Sequence, residues 1–210
     1  NRVPAASDDI ADTLNYKAVS KRVIAYVSQS EFGLVETLAE RVLPVLAERD
    51  LTITFFVVGE DAARPQNADA IRSLSDAGHE IASHGYGHEL VFRQTRERFR
   101  DDLRRSVDVI ADVTGKVPAG YRAPSFSIND SCLWALEVIA ELGFAYDASV
   151  MPLRMRHYGA GGHTKVPHRL ESGLWEFPAA TIGLGGCEVP FGGGGYFRLY
   201  PFIMTRWATQ

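Results

Sequence analysis

The chain has 210 residues, 46% of them hydrophobic and 23% charged, with a formal net charge of −4 at pH 7. That is enough chain for one large domain or two small ones with a sizeable core, and the composition excludes a disordered segment. The acidic balance offers no basic footprint for nucleic acid, no apolar run reaches the length of a membrane span, and two cysteines define no disulfide framework.

Residues 1–14 are polar and rich in aspartate. Asn15 is placed to cap a helix from Tyr16 to about Gln29, with Ala18, Val19, Val23, Ile24 and Val27 on an apolar stripe. Ser30 caps a second helix that buries Leu34, Val35, Leu38 and Val42, and Pro44 is expected to end or kink it near Leu43. The β-branched and aromatic run Leu51–Val58 reads as a strand buried on both faces. A helix from about Asn67 to Ala77 stops at Gly78, and His79–Ser83 is extended. Thr95 caps a long helix that ends at Gly115. The arginines here (Arg93, Arg96, Arg98, Arg100, Arg104, Arg105) interleave with Glu97, Asp101, Asp102 and Asp108, the pattern of a solvated helix face rather than a binding patch. Pro118–Arg122 is extended. Asn129 or Asp130 caps a helix to about Leu142, and Cys132 within that apolar stretch is a core residue. Beyond Asp147 the chain reads as irregular, with one strand at Leu174–Phe177 and a glycine run, Gly192–Gly195, that lacks the Lys-Ser/Thr of a phosphate loop. The alternation of strand and helix through the middle predicts parallel βα units.

Three clusters carry chemistry. His84 and His88 follow a short strand, where α/β barrels place their sites, and a helical turn would bring both imidazoles to one metal. The spacing alone is a weak signal; Gly85 and Gly87, which let the backbone turn, strengthen it. Tyr86, between the histidines, is a candidate substrate contact. Arg122, at the end of an extended segment before Pro124, is placed either to orient a carboxylate by a bidentate pair or simply to sit on a surface loop. Trp175 either lines a sugar-binding cleft or fills the core.

In chain order, Thr54–Gly59, Gly78–His88, Tyr121–Ser127 and Leu174–Pro178 together resemble the polysaccharide deacetylase (NodB-homology) family over about residues 43–207. Ser83–Leu90 and Gly192–Arg198 are similar to its exopolysaccharide- and exosortase-associated branch. The resemblance implies an α/β fold, a distorted (β/α) barrel that is incomplete here. It also implies a divalent metal, zinc in many members, held by two histidines and an aspartate. Water activated at the metal attacks the N-acetyl carbonyl of a sugar, an aspartate is the general base, and a late histidine protonates the amine. Carried over, His84, His88 and Asp9 are the metal ligands, Asp8 is the base, Arg122 holds the base, and Trp175 and Tyr86 contact an N-acetylated sugar or polysaccharide. The aspartates should end the first barrel strand, yet Pro4–Ser7 is not an apolar strand, and no histidine up to Gln210 matches the late Leu-x-His motif.

Residues 1–42 resemble a second family. Ser7–Tyr16 and Phe32–Arg41 are similar to the middle of dihydroneopterin aldolase, which implies pterin-site roles for Tyr16 and Glu36. The expected organisation is therefore a helical segment at 1–42 and a deacetylase-like domain at 43–210. Three functions follow: a metal-dependent deacetylase, a pterin-pathway aldolase or pterin binder, and a deacetylase-like module without activity. No basic-then-apolar leader is visible, which points to the cytoplasm; oligomeric state stays open.

Overall fold

The computed structural model describes residues 22–26, 43–153, 159–184 and 186–191. Its strands are Arg22–Tyr26 (β1), Thr52–Val57 (β2), Glu80–Ser83 (β3), Gly120–Tyr121 (β4), Tyr146–Asp147 (β5), His168–Arg169 (β6) and Trp175–Glu176 (β7). They form one sheet in the order β1-β2-β3-β4-β5-β7-β6. Every neighbouring pair is parallel except β6–β7. Helices alternate with the strands: residues 43–48 (α1), Gly59–Ala62 (α2), Pro65–Asp76 (α3), Arg96–Thr114 (α4) and Trp134–Glu141 (α5). The parallel βα alternation expected from the sequence is thus present. Thr181–Leu184 (β8) and Cys187–Pro190 (β9) pair as a separate antiparallel hairpin.

Side chains along β2 alternate between two environments, as a pleated strand requires. Ile53, Phe55 and Val57 pack outward with Leu46 of α1, Ile71 and Leu74 of α3, and Ile110 of α4. Phe56 points to the other face and clusters with Ala82, Tyr146 and Ala148, with Trp175 and Phe177 against them. A third cluster joins Phe99 and Leu103 of α4 to Tyr121 and to Ala135, Val138 and Ile139 of α5. Burying each of the larger side chains contributes roughly 1.5–3 kcal/mol.

Several helix ends match the sequence reading. The Thr95 side chain accepts a hydrogen bond from the Arg98 amide, and Gly115 closes α4 in the left-handed region at φ 70°. The helix Tyr16–Gln29 is a correction: Arg22–Tyr26 is a strand, paired residue by residue with Thr52–Phe56. Val23, Ile24 and Tyr26 suit either element locally, and pairing with β2 decides. The second expected helix lies outside the described residues up to position 42; residues 43–48 are helical through Pro44 and carry Leu46 into the core. Helix α5 begins at Trp134 rather than at Asn129 or Asp130, since the Asn129 side chain closes a local turn onto the Ser131 amide at 2.9 Å. The region after Asp147, read as irregular, contains β6 and the β8–β9 hairpin.

Asp8, Asp9, Tyr16, Glu36, His157 and Gly192–Gly195 lie outside the described residues. Since β1 begins at Arg22, Asp8 and Asp9 precede this strand in the chain instead of ending it.

The Phe99 ring is fully buried and meets Tyr121 and Trp134 edge-on, with centroids 5.7 and 5.8 Å away, so it joins α4 to both β4 and α5. Phe99→Ala is expected to cost about 3–5 kcal/mol in chemical denaturation.

Candidate metal centre

His84 follows the last residue of β3, and the ladder between β2 and β3 continues beyond both strands. The His84 amide donates to the Val57 carbonyl at 2.8 Å, Gly59 to Gly85 at 2.8 Å, and Glu60 to Tyr86 at 2.9 Å. The segment His84–His88 is an irregular loop, not the helical turn that the four-residue spacing suggests. Two left-handed residues bend it, Gly85 at φ 77° and His88 at φ 53°. The conformation at His88 costs on the order of 1 kcal/mol, which the surrounding structure must offset. The result still brings the imidazoles together, with ring centroids 5.0 Å apart.

Burial and hydrogen bonding set the state of these rings. His84 is fully buried, and its Nδ1 lies 2.6 Å from the Arg122 carbonyl oxygen. A carbonyl only accepts, so Nδ1 carries the hydrogen and Nε2 keeps its lone pair, the tautomer of a ligand braced by a backbone carbonyl. Burial, reinforced by the neighbouring His88, lowers the His84 pKa to about 3 against the opposing effect of that hydrogen bond. Burial also lowers the pKa of His88, opposed by the charge of Asp61. Both imidazoles are therefore held toward the neutral form that binds metals. They fit two positions of a nitrogen-ligated metal site; among the described residues no group of three or more His, Cys, Asp or Glu could complete one.

The loop is held from both sides. The Asp102 carboxylate, on α4, accepts from the Tyr86 amide at 2.7 Å and the Gly87 amide at 3.0 Å. A Cβ at Gly85 would lie 2.9 Å from that carboxylate, and one at Gly59 would lie 2.8 Å from the Tyr86 ring, so both positions need glycine. Ser83 and Ser106 share a buried hydrogen bond of 2.8 Å that ties the end of β3 to α4. The Arg105 guanidinium stacks over the Tyr86 ring at 3.6 Å. Tyr86, a candidate substrate contact, thus has one ring face covered by the protein itself. The charged face of α4 is only partly the solvated face expected. Arg96 and Arg100 pair with Glu141 on α5, and Arg98 with Glu89. Asp102 and Arg105 brace the histidine loop, a role that charge interleaving alone does not signal.

Arg122 lies beside the histidines. Its Nε donates to the Ala148 carbonyl at 3.0 Å, and its guanidinium sits 4.5 Å above the Phe56 ring. Trp175 belongs to the same inner face, half-buried and packed near Phe177. Sequence reasoning missed Asp61, Asp102, Asp147, Ser149 and Glu176. The last three form a buried network behind Arg122: the Ser149 hydroxyl donates to Asp147 at 2.5 Å, and Asp147 is the ladder partner of Glu176, whose carboxyl accepts from the Val150 amide at 3.1 Å. The signal available was an acidic residue in each of two short apolar strands.

Asp102→Ala removes the acceptor of two backbone N–H groups and is expected to cost about 2 kcal/mol. Arg105→Ala, which loses only the stacking on Tyr86, should cost about 0.5–1 kcal/mol. Urea denaturation of both variants measures the difference.

The chain matches the family described as polysaccharide deacetylase over residues 27–146, and a domain of unknown function, DUF3473, over residues 148–210. It is similar to a peptidoglycan deacetylase of Helicobacter pylori, 31% identical over 141 residues, covering 66% of this chain and 46% of that protein. Among solved structures, it is similar to a presumed polysaccharide deacetylase from Mycobacterium smegmatis, with a TM-score of 0.60 and 30% identity over 84% of this chain and 54% of the other. An allantoinase shares the fold, with a TM-score of 0.53, 20% identity, and coverage of 70% of this chain and 46% of that one. The chain therefore spans about half the length of the relatives it matches. The distorted α/β barrel implied by the sequence motifs is the fold of these deacetylase neighbours, and the pterin reading of residues 1–42 gains no support from them. With the match at 27–146 covering more than half of its residues, the chain belongs to the polysaccharide deacetylase family.

Proposed function

We propose that the chain forms the core of a metal-dependent hydrolase that removes N-acetyl groups from a polysaccharide or a related amide. The observation that supports this most is the His84–His88 pair at the end of β3, with the His84 tautomer set by the Arg122 carbonyl. A divalent metal held there, with zinc among the ions that imidazole suits, would polarise the substrate carbonyl and lower the pKa of a bound water. Within the chain, His84 and His88 bind. Arg122, steadied by Ala148 and the Phe56 ring, presents a fixed cation to a carboxylate or a developing negative charge. The half-buried Trp175 ring on the same face offers an apolar wall to a sugar. The Helicobacter pylori relative is named for peptidoglycan, whose N-acetylated sugars belong to the substrate class proposed here. The likeness of Ser83–Leu90 to the exopolysaccharide-associated branch favours a polymer of that kind.

Metal analysis of the purified chain, together with acetate release from chitooligosaccharides, tests the proposal. About one bound zinc per chain and release that His84→Ala abolishes are expected; no metal and no acetate would sink it. Metal without acetate would make the chain a deacetylase-like module without activity.

A second set of variants addresses the oxygen ligand. Asp8 and Asp9, the carried-over candidates, precede β1. Joint Asp8→Asn and Asp9→Asn replacement tests them by isothermal titration with zinc: weakened binding would assign the oxygen ligand to this pair, and unchanged affinity would show that neither is a ligand.

A further inference from the structure

We propose that Asp147 and Glu176 form a buried acid pair that positions Arg122 from the opposite face of the sheet. The proposal rests on Arg122 belonging to the deacetylase site. Asp147 and Glu176 are direct partners in the parallel β5–β7 ladder, and both are fully buried. Their neighbours Tyr146, Ala148, Trp175 and Phe177 lie in the inner cluster around Phe56, so strand alternation sends the two acids to the other face. Two carboxylates placed opposite each other in a buried ladder would repel strongly if both were ionised. A single retained proton removes that conflict by leaving Glu176 neutral beside the Asp147 carboxylate. Burial and the charge of Asp147 push the Glu176 pKa up to about 11.

From this pair the hydrogen bonds run to Arg122 by two routes. The Glu176 carboxyl accepts from the Val150 amide at 3.1 Å, and Asp147 accepts from the Ser149 amide at 2.9 Å and the Ser149 hydroxyl at 2.5 Å. These bonds fix the segment Ala148–Val150. The Ala148 carbonyl then receives the Arg122 Nε, and the Ser149 Oγ accepts from the Ala123 amide at 2.7 Å. Both the guanidinium and the peptide that follows Arg122 are thereby referred to one buried proton. The Arg122 carbonyl, part of that peptide, is the group that orients His84. Asp147 and Glu176 are positioning residues: they act through Arg122 and need touch neither substrate nor metal.

The experiment follows hydrogen exchange of the Arg122 Nε–H and the Ala123 amide by nitrogen-15 NMR in the whole chain. In Ser149→Ala, both should exchange about tenfold faster, the equivalent of one typical hydrogen bond. Glu176→Gln should match the parent, because a neutral amide replaces a neutral acid beside Asp147 and can still accept from the Val150 amide. Glu176→Ala should resemble Ser149→Ala; if it does not fold, the other two variants carry the test. Unchanged exchange in Ser149→Ala, or loss of protection in Glu176→Gln, overturns the proposal.

Thermal unfolding gives a second readout. The charged groups acting on Glu176 are Asp147, across the ladder, which raises its pKa, and Arg122, which lowers it. Its folded pKa lies above its usual 4.5, so the stability it contributes is full below that value and is lost as pH rises toward the folded value. Glutamine cannot ionise in the unfolded chain. Glu176→Gln should therefore gain on the parent in Tm between about pH 5 and about pH 9, and a constant difference would count against the shared proton. The exchange data stand whether or not acetate is released, so failure of the deacetylase reading and failure of this one are separable. If the chain is active, Ser149→Ala should lower kcat with KM little changed.

Discussion

The hydrogen bond between His84 Nδ1 and the Arg122 carbonyl joins two segments of the molecule across 2.6 Å. It ties the loop after β3 to the segment after β4, it fixes which imidazole nitrogen faces the candidate metal position, and it requires that the backbone at Arg122 not move. Since His84 is fully buried, an imidazole there without this partner would leave a polar N–H without compensation. Much of the surrounding structure serves to keep this one contact in place. Asp102 and the backbone of Gly59 and Glu60 hold the loop on one side, while Ser149 and Ala148 hold the Arg122 segment on the other.

Local chemistry made a good part of the fold legible. The Leu51–Val58 run could be little else than a buried strand, and Thr95 and Gly115 marked both ends of α4 because a cap side chain and a left-handed residue are local requirements. Arg22–Tyr26 was misread because its apolar residues satisfy a helical stripe as readily as a strand, and the pairing with β2 that decides between them is non-local. The strands β4, β5 and β7 have two residues each, too short for any periodicity to show.

The site divides along the same line. His84, His88 and Arg122 stood out because motifs place them at strand ends. Asp102 did not, since its carboxylate looks outward in a charge pattern and its partners lie fifteen and sixteen residues away. Asp147 and Glu176 were hidden for another reason. An acid in an apolar strand reads as a break in the pattern, and only the ladder register shows that two such breaks meet.

The extension of the β2–β3 ladder past its strands has a consequence for the order in which the molecule comes apart. Loops usually open locally at little cost, well before the sheet beneath them. Here the amides of His84, Gly59 and Glu60 continue the ladder of the sheet itself. The histidine loop therefore belongs to the same cooperative unit as the core strands. A ligand arriving there meets a surface already ordered, and the entropy of arranging it has been spent in folding rather than in binding.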